Sequence, residues 1–91
     1  MEVEIGRVTH YFNHIAVAVL SLTDSLKLGD KIHIVGHSTD LVERVGSMEV
    51  NHHPVEWVKP GDEVAIKVVE QVHEHDRVYR IVEQAPAPHL A

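Results

Sequence analysis

A four-residue turn phrase, written twice with the same strand after it, restricts this chain more than any other feature of its sequence. Lys27-Leu28-Gly29-Asp30 runs into Lys31-Ile32-His33-Ile34, and Lys59-Pro60-Gly61-Asp62 runs into Glu63-Val64-Ala65-Ile66, 32 positions later. Glu74-His75-Asp76-Arg77-Val78 is a weaker third copy that would open a last strand. Glycine tolerates a positive φ at a tight turn, and Asp can hydrogen-bond the backbone just ahead of it. Gly29, Asp30, Gly61 and Asp62 are therefore structural turn residues. Alternation begins straight after each turn, with Ile32 and Ile34, or Val64 and Ile66, sharing a face. Turn-then-strand units in a chain of 91 residues specify a single all-β, antiparallel domain.

Taken in order, residues 2–11 alternate weakly and form a first strand, with a connection at Tyr11-Phe12-Asn13-His14. Residues 15–22 form a second strand that is apolar on both faces. If Ile15, Val17 and Val19 fill the interior, then Ala16, Ala18, Leu20 and Leu22 leave an apolar strip outside, suited to docking or to cover by a loop or tail. A third strand covers about 30–36, with His33 facing outward, opposite Ile32 and Ile34. Residues 41–52 read as one strand whose parity changes at Gly46-Ser47, where a β-bulge would re-aim the faces, and His53-Pro54 ends it. Strands at about 62–70 and 76–83 complete the set. Six short strands in one domain over residues 1–84 imply a small closed six-stranded barrel. Residues 85–91, with two prolines and no periodicity, read as a flexible tail.

Composition removes whole classes of chemistry. There are no cysteines, so disulfides, thiolate metal sites and a Cys nucleophile are excluded, and a reducing cytoplasm is the compartment expected. No apolar run approaches the ~20 residues of a membrane span, and the acidic start Met1-Glu2-Val3-Glu4 is unlike a signal peptide. A net charge of −6 and eight scattered Lys and Arg residues count against a large duplex-binding surface. Nine histidines would reverse that sign if all were protonated.

The serines lie in no nucleophile elbow, so no catalytic residues are assigned and no enzyme is expected. Histidine suggests metal. His73-Glu74-His75 sets two imidazoles on one side if that segment is extended, but no spacing here marks a tetrahedral site. His73 and His75 are thus weak candidates, and no metal or cofactor is expected. The aromatic tip is the stronger candidate. Tyr11 and Phe12, flanked by His10 and His14, could stack on a base, or Phe12 could plug the barrel end with Tyr11 beside it. The plug is favoured in a chain with only four aromatic residues. Trp57, between Pro54 and Pro60, covers an open end or marks a partner surface.

The run from Ile15 to Ile81 resembles domain two of elongation factor Tu and related translational GTPases. The residues that carry the likeness are Leu26-Lys27-Leu28-Gly29-Asp30-Lys31-Ile32-His33-Ile34-Val35-Gly36, then Val45-Gly46-Ser47-Met48-Glu49-Val50, then Lys59-Pro60-Gly61-Asp62-Glu63-Val64-Ala65-Ile66. The stretch from Met48 through Pro54-Val55-Glu56 is also similar to the small C-terminal barrel of collagenase-like peptidases. Gly6-Arg7-Val8-Thr9-His10-Tyr11-Phe12-Asn13 resembles small stand-alone elongation-factor-like proteins. The resemblance implies a translation-factor domain-two barrel that binds RNA, the ribosome or a protein. No Gly-x4-Gly-Lys-Ser/Thr is present, so nucleotide binding does not follow from it. The alternative it implies is an accessory module for a separate peptidase-type enzyme.

Overall fold

The turn phrase is built three times. In the computed structural model, which describes residues 1–82, Asp30 N–H donates to Lys27 O (3.1 Å) and the Asp30 carboxylate accepts from Lys27 N–H (3.0 Å). Asp76 does the same three residues back, its N–H to His73 O (3.2 Å) and its carboxylate from His73 N–H (2.8 Å). Asp62 N–H donates to Lys59 O (3.4 Å). The third position has positive φ each time, +88° at Gly29, +93° at Gly61 and +75° at His75. A Cβ at Gly29 or Gly61 would meet nothing within 4 Å. The cost of a β-branched side chain there is therefore backbone strain alone. Gly29→Val and Gly61→Val should each lower stability by more than about 1 kcal/mol in urea denaturation. His75→Gly should raise it by about 1 kcal/mol, because it removes the same strain from the third copy.

Ten strands follow, with no helix among the described residues: β1 (Glu2–Phe12), β2 (Val17–Leu22), β3 (Leu26–Lys27), β4 (Lys31–Val35), β5 (Asp40–Arg44), β6 (Met48–Val50), β7 (His53–Pro54), β8 (Trp57–Val58), β9 (Glu63–Lys67) and β10 (Arg77–Ile81). Eight form one antiparallel sheet in the order β5-β4-β10-β1-β2-β9-β6-β7, and β3 pairs with β8 as a separate ribbon. The sheet ends in β5 and β7, and no ladder joins those two edges among the described residues. The expected six-stranded closed barrel is thus replaced by an open eight-stranded sheet and a ribbon. A single core remains. Leu41 of β5 and Met48 of β6 belong to one buried cluster with Ile5, Leu20, Ile34 and Val78, so the sheet curves round it.

The missing closure traces to residues 41–52. Instead of one bulged strand, β5 pairs with β4 near one edge and β6 pairs with β9 near the other. The parity change marks a switch of position in the sheet. Val45 anchors the crossing, its N–H donating to Asp30 O and its carbonyl accepting from Gly29 N–H, both at 2.9 Å. Asn51 and His52, at φ +51° and +66°, then form a two-residue hairpin turn with both central residues left-handed. His53-Pro54 continues the sheet as β7 where an end had been expected. Proline is tolerated there because β7 is an edge strand, where a missing N–H costs no ladder bond.

The weak alternation of β1 also has a cause. Its register shifts between Glu4 and Gly6, and again between Val8 and His10. Ile5 and Val8 are therefore both fully buried although they differ in parity. Strand β2 turns the other way from the sequence expectation. Ala18, Leu20 and Leu22 are buried, while Ile15 is 60% exposed and Val17 and Val19 are half-buried. The partner strand decides this. Ala18 and Leu20 lie opposite Ile66 and Val64, while Val17 and Ser21 lie opposite Lys67 and Glu63. Residues directly opposite share a face, so the charged pair on β9 forces Val17 outward.

The last strand ends at Ile81, and the reading of residues 85–91 as a tail lies outside the described residues. No helix among the described residues is long and apolar enough to cross a membrane.

Candidate functional site

Two concave surfaces lie near the two ends of β1. The first, a groove of about 770 Å³, runs over the outer face of β2 and β9. Its floor is Val17, Val19 and Ala65, with Ile15 and the 45%-exposed Phe12 at one end and Lys67 beside them. The apolar strip expected on β2 therefore exists, but it is formed by the opposite set of residues. The second, of about 560 Å³, is lined by Lys27, Lys31, Trp57 and Arg80.

The aromatic tip is only partly assembled. His10 and Phe12 make an edge-to-face contact with centroids 4.3 Å apart, and His10 Nδ1 lies 3.4 Å from Glu74 Oε1. His14 is exposed in the turn that follows. Tyr11 packs against the core, whereas Phe12 stands out on the rim. Core packing therefore falls to Tyr11 and not to Phe12, because the second register shift in β1 turns Tyr11 inward, and the open sheet has no barrel end to plug. Trp57 is separated from this tip and lines the other cavity. Sequence reasoning missed the grouping of Lys27, Lys31 and Arg80. Its one signal was Lys27, which heads the repeated phrase.

His73 and His75 take structural positions. They lie in a turn, not an extended segment, and His73 Nδ1 shares a 2.9 Å hydrogen bond with Thr39 Oγ1. Among the described residues, no three His, Asp or Glu side chains converge as metal ligands do. The Thr39–His73–Asp76 grouping contains the residue types of a catalytic relay but not its geometry. Asp76 Oδ2 and Thr39 Oγ1 both approach Nδ1, the former at 3.9 Å. A relay needs the carboxylate on one ring nitrogen and the hydroxyl on the other. Thr39 and Asp76 are also 5% exposed each, closed to a substrate.

His33 is clasped between two strands' carboxylates. Its Nδ1 meets Glu2 Oε1 at 2.9 Å, and its Nε2 meets Asp40. Hydrogen bonds from Asp40 and then Glu2 raise the imidazole above its ordinary value of 6.5. A raised folded-state pKa means that the native chain holds the proton more tightly than the unfolded one. The resulting stability is fully present below about pH 6.5 and is lost as pH rises through the raised value. The melting temperature should thus fall as pH rises above about 6.5, and His33→Gln should flatten that slope. An unchanged slope in the variant would place the titration elsewhere.

No protein-family model matches the sequence. The chain is 43% identical over 83 residues to an uncharacterized protease of Methanocaldococcus jannaschii. That match takes in 90% of this chain and 20% of the archaeal protein, so the chain spans about a fifth of that relative's length. Among solved structures, it superposes on the C-terminal domain of a protein described as a U32 peptidase of Geobacillus thermoleovorans, with a TM-score of 0.80 at 14% identity. The superposition covers 86% of this chain and 91% of that domain. The selenomethionine form of the same domain gives 0.79 at 14% identity, covering 84% and 96%. These likenesses agree with the resemblance to the C-terminal barrel of collagenase-like peptidases, and the likeness to elongation factor Tu domain two gains no support from them: the fold is that of a U32 peptidase C-terminal domain.

Proposed function

We propose that the chain is a non-catalytic accessory module that works with a peptidase of the U32 type, holding enzyme or substrate while hydrolysis takes place elsewhere. The observation that carries this reading is the match to an uncharacterized protease over 90% of this chain but only 20% of that protein. The module would thus correspond to a small part of a much larger polypeptide. The relay-like cluster at His73 supports the same reading, since its geometry does not activate a hydroxyl.

Two measurements test it. The purified chain incubated with casein should release no peptides. Removing the matching segment from the archaeal protease should raise KM for a protein substrate severalfold and leave kcat on a short peptide unchanged. That split is the signature of lost binding without lost chemistry. Cleavage by the chain alone, or an unchanged KM after the deletion, would overturn the proposal.

A further inference from the structure

The β3–β8 ribbon divides its residues by face. Leu26 and Val58 pair and are 1% and 2% exposed, while Lys27 and Trp57 pair on the opposite face. Trp57 is the chain's one tryptophan, and it is 59% exposed. The turn phrase then brings the chain back so that Lys31 lines the same cavity, and Gly29 O is held by the Arg44 guanidinium at 3.0 Å. Arg80, Ile81 and Val82, at the end of β10, form the remaining wall.

Two acids lie close by, and Asp30 is itself part of the cavity wall. The Asp30 carboxylate holds Lys27 N–H, and Asp24 accepts from Ser25 N–H at 2.7 Å and from the Arg80 guanidinium at 3.3 Å. Arg80 also donates to Ser25 O, so its position is set. The ammonium groups of Lys27 and Lys31 have no ion-pair partner among the described residues. Three of the eight Lys and Arg residues of a chain with net charge −6 thus gather on one cavity beside an exposed indole.

We propose that this cavity binds a small ligand made of a flat aromatic ring carrying one anionic group. The ring lies on Trp57, and the carboxylate or phosphate lies between Lys27 and Lys31. An indole face stacks on a planar ring without selecting its substituents. Ammonium groups on flexible stems act as point charges that accept either anion. The ligand is small because two ammonium groups on a chain of net charge −6 cannot offset the repulsion of a long polyanion. This proposal goes beyond the accessory-module reading and does not rest on it.

Trp57 emission reports on this cavity alone, since no other tryptophan is present. The intact chain is titrated with adenosine 5′-monophosphate in one arm and with N-acetyl-phenylalanine in the other. At least one should give a saturable change that weakens as salt rises from about 50 mM to about 500 mM. The Lys27→Gln/Lys31→Gln variant should bind at least tenfold more weakly. Phe12→Ser, in the other groove, should bind as the wild type does. A thermal melt shows that the lysine variant is folded, and Lys31→Gln alone serves if the pair is not. Response in the first arm identifies phosphate as the anion, and response in the second identifies carboxylate. No saturable response to either up to about 10 mM, or equal affinity in the lysine variant, would overturn the site.

Discussion

Gly6→Ala should destabilise this protein by about 3 kcal/mol or more, enough to lower its melting temperature by over about 12 °C. A Cβ on Gly6 would meet the backbone carbonyl of Ser21 far inside the 3.0 Å that real Cβ atoms keep, with the Ser21 carbonyl carbon and Leu22 Cα next. Neither obstacle is a side chain that can swing away. Gly6 pairs with Leu22 of β2 on one side and Val78 of β10 on the other. Making room for a methyl group therefore means parting two ladders in the middle of the sheet. A domain of this size has a total stability on the order of 5–10 kcal/mol, so the variant should lose roughly a third to three fifths of it. Gly46→Ala is the control. It has open space and no left-handed φ, so it should be neutral or slightly stabilising. Circular dichroism melts of the two variants beside the wild type make the comparison. A Gly6→Ala protein within about 1 kcal/mol of wild type would mean that β1 and β2 do not approach as described.

The second large effect is expected at Gly36→Ala, at about 2–3 kcal/mol. Here a Cβ would overlap the Asp76 carboxylate, which is 5% exposed and holds His73 N–H at 2.8 Å. The carboxylate occupies the place where a side chain at position 36 would be. It thereby locks the 73–76 turn against the hairpin in which Gly36 N–H donates to Thr39 O (2.9 Å). Asp76→Ala should cost about 1–2 kcal/mol by leaving that partly buried N–H without its partner. The double variant should cost less than the two single changes together, by at least about 1 kcal/mol, because one methyl group fills the space the carboxylate leaves. Additive losses in a urea-denaturation cycle would show that the two residues do not compete for the same volume.

The same pair shows where sequence reasoning stops. The third copy of the turn phrase was legible from Asp76 ahead of an apolar alternation, and the structure builds it with His75 in the glycine's conformation. That Asp76 also sets the residue allowed at position 36 was not legible, because the two positions lie on different hairpins and meet only when β4 and β10 pair. His33 behaves likewise. Its outward direction followed from Ile32 and Ile34, but its partners Glu2 and Asp40 arrive from β1 and β5.

Of the candidate site, the individual residues were visible and their grouping was not. Phe12 and Trp57 stood out as aromatics in a chain poor in them, yet they serve different cavities. Lys27, Trp57 and Arg80 are far apart along the chain and come together through the β3–β8 ribbon and the end of β10.

What the sequence determined by itself was local: three turns of one phrase, two of them closed by an Asp carboxylate, the shared faces of β4 and β9, and an antiparallel all-β domain. Each is encoded within a few consecutive residues by glycine or its substitute, a carboxylate and an alternation of period two. What only the tertiary structure decided was the face of β2, the fate of residues 41–52 and the openness of the sheet. β2 is apolar on both sides, so its own pattern carries no direction, and Glu63 and Lys67 on its neighbour supply one. Residues 41–52 look like one strand because nothing local records that their halves pair with β4 and with β9, at opposite ends of the sheet. Register and closure are properties of pairs of strands, and a single strand's residues cannot state which partner they will meet.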